Sequence, residues 1–307
     1  MRYRTLNSYL KERFGCKVYK LALDGGMTCP NRDGTLGTRG CIFCSRSGSG
    51  DFAVCSGPDI AAQLAAARRV VAGKVKQAKY IAYFQSFTNT YAPAYVLEPL
   101  YRAAMAPEEV VALSIATRPD CIPDDVLALL CRLNARKPVW IELGLQTIHP
   151  ASAAYIRRGY DLACYDACVE RLRAAGLEVI THMILGLPFE TSRMMYETAA
   201  YIGKSGVQGI KLQLLHVLRD ADLAEEYAAG AFPTLTLEKS AELLAGCIRR
   251  LPKDMVIHRL TGDGAKRNLI APLWSADKKR VLNRIQAYFE QEDVRQGALW
   301  SETGLFL

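Results

Sequence analysis

Apolar positions along the chain fall into two alternating patterns. Short runs over 17–23, 80–85, 110–116, 139–145, 178–185 and 209–215 are apolar over most of their length. Such runs predict strands covered on both faces, as in a parallel sheet. Between them, apolar residues recur at helical spacing. Ile60, Leu64, Ala67 and Val71 form one stripe, and Val126, Leu129, Leu130 and Leu133 form another that begins after Pro123 and Asp124. Strands alternating with amphipathic helices predict right-handed βαβ units. Six of them predict an α/β fold, a partial or complete TIM-like parallel (β/α)6 barrel with ligands at the carboxyl ends of its strands. From about residue 236 the pattern changes: helical segments near 236–250 and 276–291 flank an apolar strand candidate at 255–258. No Ser/Gly linker announces a second domain. The expectation is a barrel with its N-terminal helix and first loop over 1–235, and an α-rich C-terminal extension over 236–307 packed on it.

Cysteine placement adds chemistry to this picture. Residues 24–51, DGGMTCPNRDGTLGTRGCIFCSRSGSGD, are rich in Gly and polar residues and so predict a loop at the carboxyl end of the first strand. The loop carries Cys29, then Cys41 and Cys44 as a Cys-x-x-Cys pair. Close thiol spacing suits an iron–sulfur cluster, and three thiolates on a four-iron cluster leave one iron open. Structural zinc is the competing reading, with Cys55 completing a four-thiolate site. A redox pair is weaker, because the motif lacks a thioredoxin-like helix start. Cys164 and Cys168, four apart, and the scattered Cys16, Cys121, Cys131 and Cys247 read as small buried hydrophobes.

Composition narrows the setting. The chain has 307 residues, half of them apolar, so a substantial core is available and long disorder is not expected. The N-terminal MRYRTLNSYL has no apolar run suited to a signal peptide, and no run of about 18 apolar residues suggests a membrane span. A cytoplasmic protein without a membrane partner is expected, with its ten cysteines as thiols or metal ligands rather than disulfides. The net charge of +8 permits an RNA or other anionic partner without demonstrating one.

The cysteine loop resembles that of the radical S-adenosylmethionine (SAM) superfamily, in the branch related to the Elongator catalytic subunit, where the first cysteine spacing is expanded. Further segments resemble the YtqA/YhcC-type group: YIAYFQSFTNTYAP over 80–93, SIATRPD over 114–120, WIELGLQT over 140–147, THMILGLPFET over 181–191 and RLTGDG over 259–264. The resemblance covers about residues 10–275 and implies a partial barrel of radical SAM type. It implies a [4Fe–4S] cluster on Cys29, Cys41 and Cys44, with SAM chelating the open iron and an adenosyl radical as the reactive species. It places Phe43 near adenine, Glu142 and Gln146 at the end of the fourth strand toward the SAM amino group and ribose, and Arg158 (or its neighbour Arg157) on the SAM carboxylate. Gln85 and Ser86 stand where a Gly-Gly-Glu-like motif, absent here, holds the methionyl part. Ile184, Leu185 and Gly186 are implied to pack on adenine. Taken alone, Glu142 reads as a structural ion pair and Gln146 as a satisfied core amide.

Substrate residues are less legible. His182, His216 and Arg118 are the candidates for catalysis, with Thr117, Lys211, Asn89 and Tyr91 as further pocket candidates. His258 reads as a core histidine. Arg259, Asp263 and Arg267 read as a polar lid or a solvated turn. The resemblance implies MnmL-like modification of the tRNA wobble uridine, converting 5-carboxymethylaminomethyluridine to 5-aminomethyluridine. An external electron donor such as flavodoxin or ferredoxin goes with it. Arg32, Arg39, Arg46, Lys278, Lys279 and Arg280 are candidate phosphate contacts. A radical SAM enzyme acting on a small metabolite, cofactor precursor or protein is the alternative, and a non-catalytic metal-binding module a weaker one.

Overall fold

The computed structural model describes residues 2–48, 57–71, 78–262 and 266–301. Helix α1 (Leu6–Phe14) starts at Thr5, whose side chain accepts from the Ser8 N–H, and ends at Gly15 in the left-handed region. Strands β1 (Val18–Leu23), β2 (Lys79–Phe84), β3 (Val110–Thr117), β4 (Val139–Gln146), β5 (Glu178–Leu185) and β6 (Gly209–Leu214) follow. The intervening helices are α2 (Ile60–Val71), α3 (Ala94–Met105), α4 (Asp124–Asn134), α5 (Pro150–Tyr155), α6 (Leu162–Ala174) and α7 (Ser192–Lys204). A short strand β7 (Val217–Leu218) and helix α8 (Leu223–Ala228) lead to α9 (Leu237–Arg249), β8 (Val256–Arg259), β9 (Leu269–Ala271) and α10 (Lys278–Gln291).

The main sheet is parallel and ordered β1-β2-β3-β4-β5-β6-β8, each crossover advancing one strand. This stepwise order curls a sheet into an incomplete barrel. The sheet has seven strands where six were expected: β8, read from sequence as part of a packed extension, pairs with β6 from Gly209↔Val256 onward. The expected division at 235/236 therefore runs through one continuous sheet. β7 and β9 form a separate antiparallel ribbon.

The strands alternate with period two, and the two faces differ. Leu21, Leu23, Ala82, Phe84, Leu113, Ile115, Ile141, Leu143, Val179, Met183, Ile210 and Leu212 join one core with the helices. The intervening residues enter the barrel. At its amino end, Ile81, Ala112, Trp140 and Ile180 pack with Leu10, and α1 contributes Leu6, Tyr9 and Phe14 to this plug. The chain before α1 also meets β8, where the Ile257 N–H donates to the Arg4 carbonyl (2.8 Å). Apolar residues therefore pack across the amino end of the interior among the described residues. Among the described residues no helix is long and apolar enough to cross a membrane.

Candidate active site

The loop after β1 is fastened by its own backbone. The Cys29 carbonyl accepts from Arg32 (2.8 Å) and Asp33 (3.2 Å), the Pro30 carbonyl from Leu36 (2.8 Å), and the Cys41 carbonyl from Cys44 (3.0 Å). Arg32 donates to the Ser45 carbonyl (2.7 Å), closing one side of the loop onto the other. Asn31 is buried and joins the loop to the chain after α5: its Nδ2 donates to the Arg157 carbonyl (2.6 Å) and lies 3.4 Å from Cys41 Sγ. Gly159 has φ +82, and a Cβ there would stand 2.7 Å from Asn31 Oδ1, so only glycine fits this crossing.

Cys29, Cys41 and Cys44 line one cavity, which continues into the barrel between Gln85, Thr117, Arg118, Glu142, Gln146, Arg158, His182, Ile184, Lys211, Gln213, His216 and Arg259. Burial, with Cys44 close by, pushes the Cys41 thiol up to about 12. Cys55 lies outside the described residues, so the four-thiolate alternative has no structural account. Among the described residues, no three His, Cys, Asp or Glu groups are gathered as a site for a single metal ion.

Of the residues implied to bind SAM, Phe43, Gln85, Glu142, Gln146, Arg158 and Ile184 line this cavity. Gln146 is the most telling. It has φ +69 at a register shift at the end of β4, and its Oε1 is buried without a hydrogen-bond partner. A buried unpaired amide oxygen in a cavity wall marks a place for a ligand donor. The satisfied-amide reading of Gln146 is corrected accordingly.

Glu142 departs from its implied place. It lies in mid-strand, opposite Ala116 and Ile180, rather than at the strand end. Its fully buried carboxylate accepts from Ser114 (2.7 Å), Lys20 (2.5 Å), His182 Nε2 (2.8 Å) and Lys211. Burial alone would raise its pKa, but Lys20 and Lys211 outweigh that and hold it well below the usual carboxylate range. The plain ion-pair reading describes its contacts.

Ser86 and Gly186 do not line the cavity. Ser86 is buried, Leu185 turns outward into the main core, and Gly186 (φ +86) sits tight against Leu235. Period two explains this: in β5, Ile184 faces inward, so its neighbour cannot. Arg158 donates to the carbonyls of Leu145 (3.0 Å), Thr147 (2.7 Å) and Tyr160 (2.9 Å), fixing the turn after β4, while Arg157 pairs with Asp222.

The catalytic candidates divide similarly. Arg118 forms a two-point pair with Asp120 (2.9 and 2.7 Å), donates to the Arg158 carbonyl (3.0 Å) and covers the Tyr160 ring. Those bonds make it a brace of the cavity wall. His182 is fixed between Glu142 and Gln213, and burial with Lys211 nearby lowers its pKa to about 4, so it is neutral at pH 7. His216 lines the wall beside Gly262. His258 lies edge-on to Trp140 but is only partly buried, and its Nδ1 has no hydrogen-bond partner among the described residues, which corrects its reading as a core histidine. Thr117 and Lys211 enter the cavity, whereas Asn89 is tied to the Ala116 carbonyl and Tyr91 lines a different pocket with Cys121, Cys164 and Cys168. The reading as small buried hydrophobes holds for Cys121, Cys168 and Cys247 and is corrected for Cys16, Cys131 and Cys164, which are only partly buried. Of the suggested lid, Arg259 lines the cavity and Arg267 is exposed; Asp263 lies outside the described residues.

Sequence reasoning passed over Lys20, Tyr83, Gln213, Asn31 and Tyr160. A lysine in each of the otherwise apolar runs VYKLAL and GIKLQL was the available signal, because an inward lysine in a barrel strand needs a partner.

Comparison with known proteins adds to this geometry. Residues 34–202 match the Radical SAM superfamily and 207–291 the Radical_SAM C-terminal domain. The chain is 46% identical over 296 residues to "Uncharacterized protein YtqA" of Bacillus subtilis, covering 96% of this chain and 92% of that one. It is 38% identical over 291 residues to "Protein YhcC" of Escherichia coli, covering 94% and 93%. A shorter match, 24% over 161 residues, is to "tRNA uridine(34) acetyltransferase" of Methanocaldococcus jannaschii, covering 52% of this chain and 29% of that one. Among solved structures, Methanocaldococcus infernus Elp3 superposes with a TM-score of 0.71 at 18% identity, over 91% of this chain and 64% of that longer one. That likeness carries the fold.

Proposed function

Since the chain belongs to the radical SAM superfamily, which implies a [4Fe–4S] cluster and SAM as cofactors, we propose that Cys29, Cys41 and Cys44 hold the cluster and that the substrate is a wobble uridine of tRNA. When bound, the cluster supplies the electron that splits SAM into methionine and a 5′-deoxyadenosyl radical able to take a hydrogen atom from carbon. The protein's own residues orient and enclose. Phe43 and Ile184 offer apolar surface to the adenine, and Gln146 Oε1 accepts from a ribose hydroxyl. Gln85 meets the methionyl part. The apolar plug below and the fastened loop above restrict water around the reacting centre.

The buried, unpartnered Gln146 oxygen in a cavity ringed by three thiols carries the cofactor part of this reading. The tRNA part draws support from the relative whose name gives tRNA uridine 34 as its target and from exposed aromatic and basic groups of the surface. Phe189, after β5, is 70% exposed, has φ +67 and meets Tyr155 edge-on at 5.4 Å. An exposed, propped aromatic ring is a stacking surface for an unpaired base. Arg46 of the thiol loop is exposed and suited to phosphates, whereas Arg39, also exposed, pairs with Asp222 (2.8 Å) and Arg32 is engaged inside the loop. Lys278, Lys279 and Arg280 lie exposed at the start of α10, outside the cavity lining.

The reaction in this reading converts 5-carboxymethylaminomethyluridine to 5-aminomethyluridine: hydrogen abstraction from the methylene of the carboxymethyl group gives a carbon radical, a one-electron acceptor oxidises it to an iminium, and water cleaves the C–N bond to release glyoxylate. A flavodoxin or ferredoxin supplies the electron. The test is nucleoside mass spectrometry of tRNA from cells with and without the protein, followed by reconstitution with purified tRNA. Deletion is expected to accumulate the carboxymethylaminomethyl nucleoside. Unchanged nucleosides, with 5′-deoxyadenosine still formed by the purified protein, would move the substrate to a small metabolite, cofactor precursor or protein.

A further inference from the structure

Opposite the thiols, the barrel interior ends in a charged floor assembled from every strand of the main sheet: Lys20, Tyr83, Ser114, Glu142, His182, Lys211 and Arg259. Its charges do not cancel. Lys20 and Lys211 both pair with Glu142, and neutral His182 adds a hydrogen bond rather than a charge. Two ammonium groups share one carboxylate, with the Arg259 guanidinium in range, so positive charge is in excess at a site where Lys211 is only 4% exposed. Lys211 Nζ has three N–H groups and two acceptors, Tyr83 Oη (3.0 Å) and Glu142. Burial, with Lys20 and Arg259 in range, pushes its pKa down to about 7 despite Glu142. A buried excess cation is costly until an anion joins it. A closed structural network has no reason to place that excess on the wall of an open cavity; a binding site does.

We propose that Lys211, with Gln213 beside it, is an anion subsite in the floor of the cavity and holds a carboxylate of the substrate. The inference rests on the reading of this cavity as the chamber where substrate meets the radical. One N–H of Lys211 left over among the described residues and one amide on Gln213 suit the two oxygens of a carboxylate; a phosphate, with three terminal oxygens, asks for more donors. A carboxylate held here leaves the adjacent carbon between the floor and the thiols.

SAM carries a carboxylate of its own, so the test separates the two sources. Cluster-loaded protein, with and without SAM, is titrated with N-methylglycine and with N-methylglycinamide, which keeps the amine and lacks the carboxylate, and binding is followed by saturation-transfer NMR. N-methylglycine is expected to bind with SAM present, the amide about tenfold or more weaker. Lys211→Met should remove the preference and Lys211→Arg retain it, with cluster absorbance confirming the fold of each. Binding to the unaltered protein should weaken as pH rises above about 7, where Lys211 loses its proton. Equal binding of the two probes, no binding of either, or Lys211→Met behaving like the unaltered protein would overturn the assignment. Displacement of N-methylglycine by SAM would give the subsite to SAM instead. If Lys211→Met fails to keep its cluster, the pH profile decides, and a flat profile rejects the subsite. Unchanged tRNA nucleosides alongside intact carboxylate binding would retire the tRNA reading alone.

Discussion

Glu142 and Leu143 are neighbours on β4, both with no exposed surface, and they live under opposite rules. Leu143 faces outward into a continuous core of strands and helices. Glu142 faces inward, where a carboxylate, two lysines, an imidazole and a phenol replace the branched apolar layers that usually fill a parallel barrel. The outer face is held by area removed from water, which tolerates many side chains of suitable size. The inner face is held by mutual compensation of charges, which tolerates few. Stability resides in the first face, and the second retains polar groups that a purely structural core would not need.

The contrast is broken most completely at the cavity mouth. Cys41→Ala is expected to prevent stable cluster assembly and abolish 5′-deoxyadenosine formation while leaving the outer core intact; iron content and a SAM-cleavage assay check this. Next, Glu142→Gln strands buried Lys211 and half-buried Lys20 and should cost about 3–5 kcal/mol. Leu143→Ala should cost about 2–5 kcal/mol by loss of buried surface and a residual cavity. Denaturant titration against pH tells the two apart, because only the Glu142 variant should alter the pH dependence of stability.

His182 sharpens the comparison further. Its folded pKa is lowered from 6.5 to about 4, so the folded state resists taking up a proton that the unfolded chain accepts. Its contribution is complete above about 6.5 and is lost as pH falls toward about 4. Glu142 acts in the same direction at lower pH, its carboxylate being held below the usual range. Unfolding midpoints should therefore fall with acidification through this window, and His182→Asn should flatten the upper part. Gln146→Ala removes an acceptor without touching either core; SAM affinity should drop about tenfold by calorimetry with the unfolding midpoint nearly unchanged. The smallest effect is expected at the surface, where replacing the exposed ring by Phe189→Ala should weaken tRNA binding about fivefold, at the low end of base–aromatic stacking, with SAM cleavage unaltered. tRNA affinity should also fall steeply with salt, with a log–log slope of about −0.7 to −0.9 per phosphate contact.

Much of the architecture was legible because its signals are local. The expected strand runs end within one residue of β1 to β6, and the stripe Val126, Leu129, Leu130 and Leu133 is the buried face of α4. The thiols belong to a short loop with characteristic spacing, so their convergence on one cavity needed little tertiary information. The seventh strand was harder. Residues 255–258 read as a strand, but its pairing with β6 depends on a connection through α9, and pairing across such a distance leaves no mark in a short run.

By itself the sequence determined the strand–helix alternation, the thiol loop and the family, because hydrophobic period and residue spacing are properties of neighbours along the chain. Only the tertiary structure decided which alternate residues face the interior. A shift of one position sends Leu185 outward and Ile184 inward, and it brings Lys20, Glu142, His182 and Lys211 from four strands around one point. Charge compensation is set by distance in space, and no spacing along the chain encodes it.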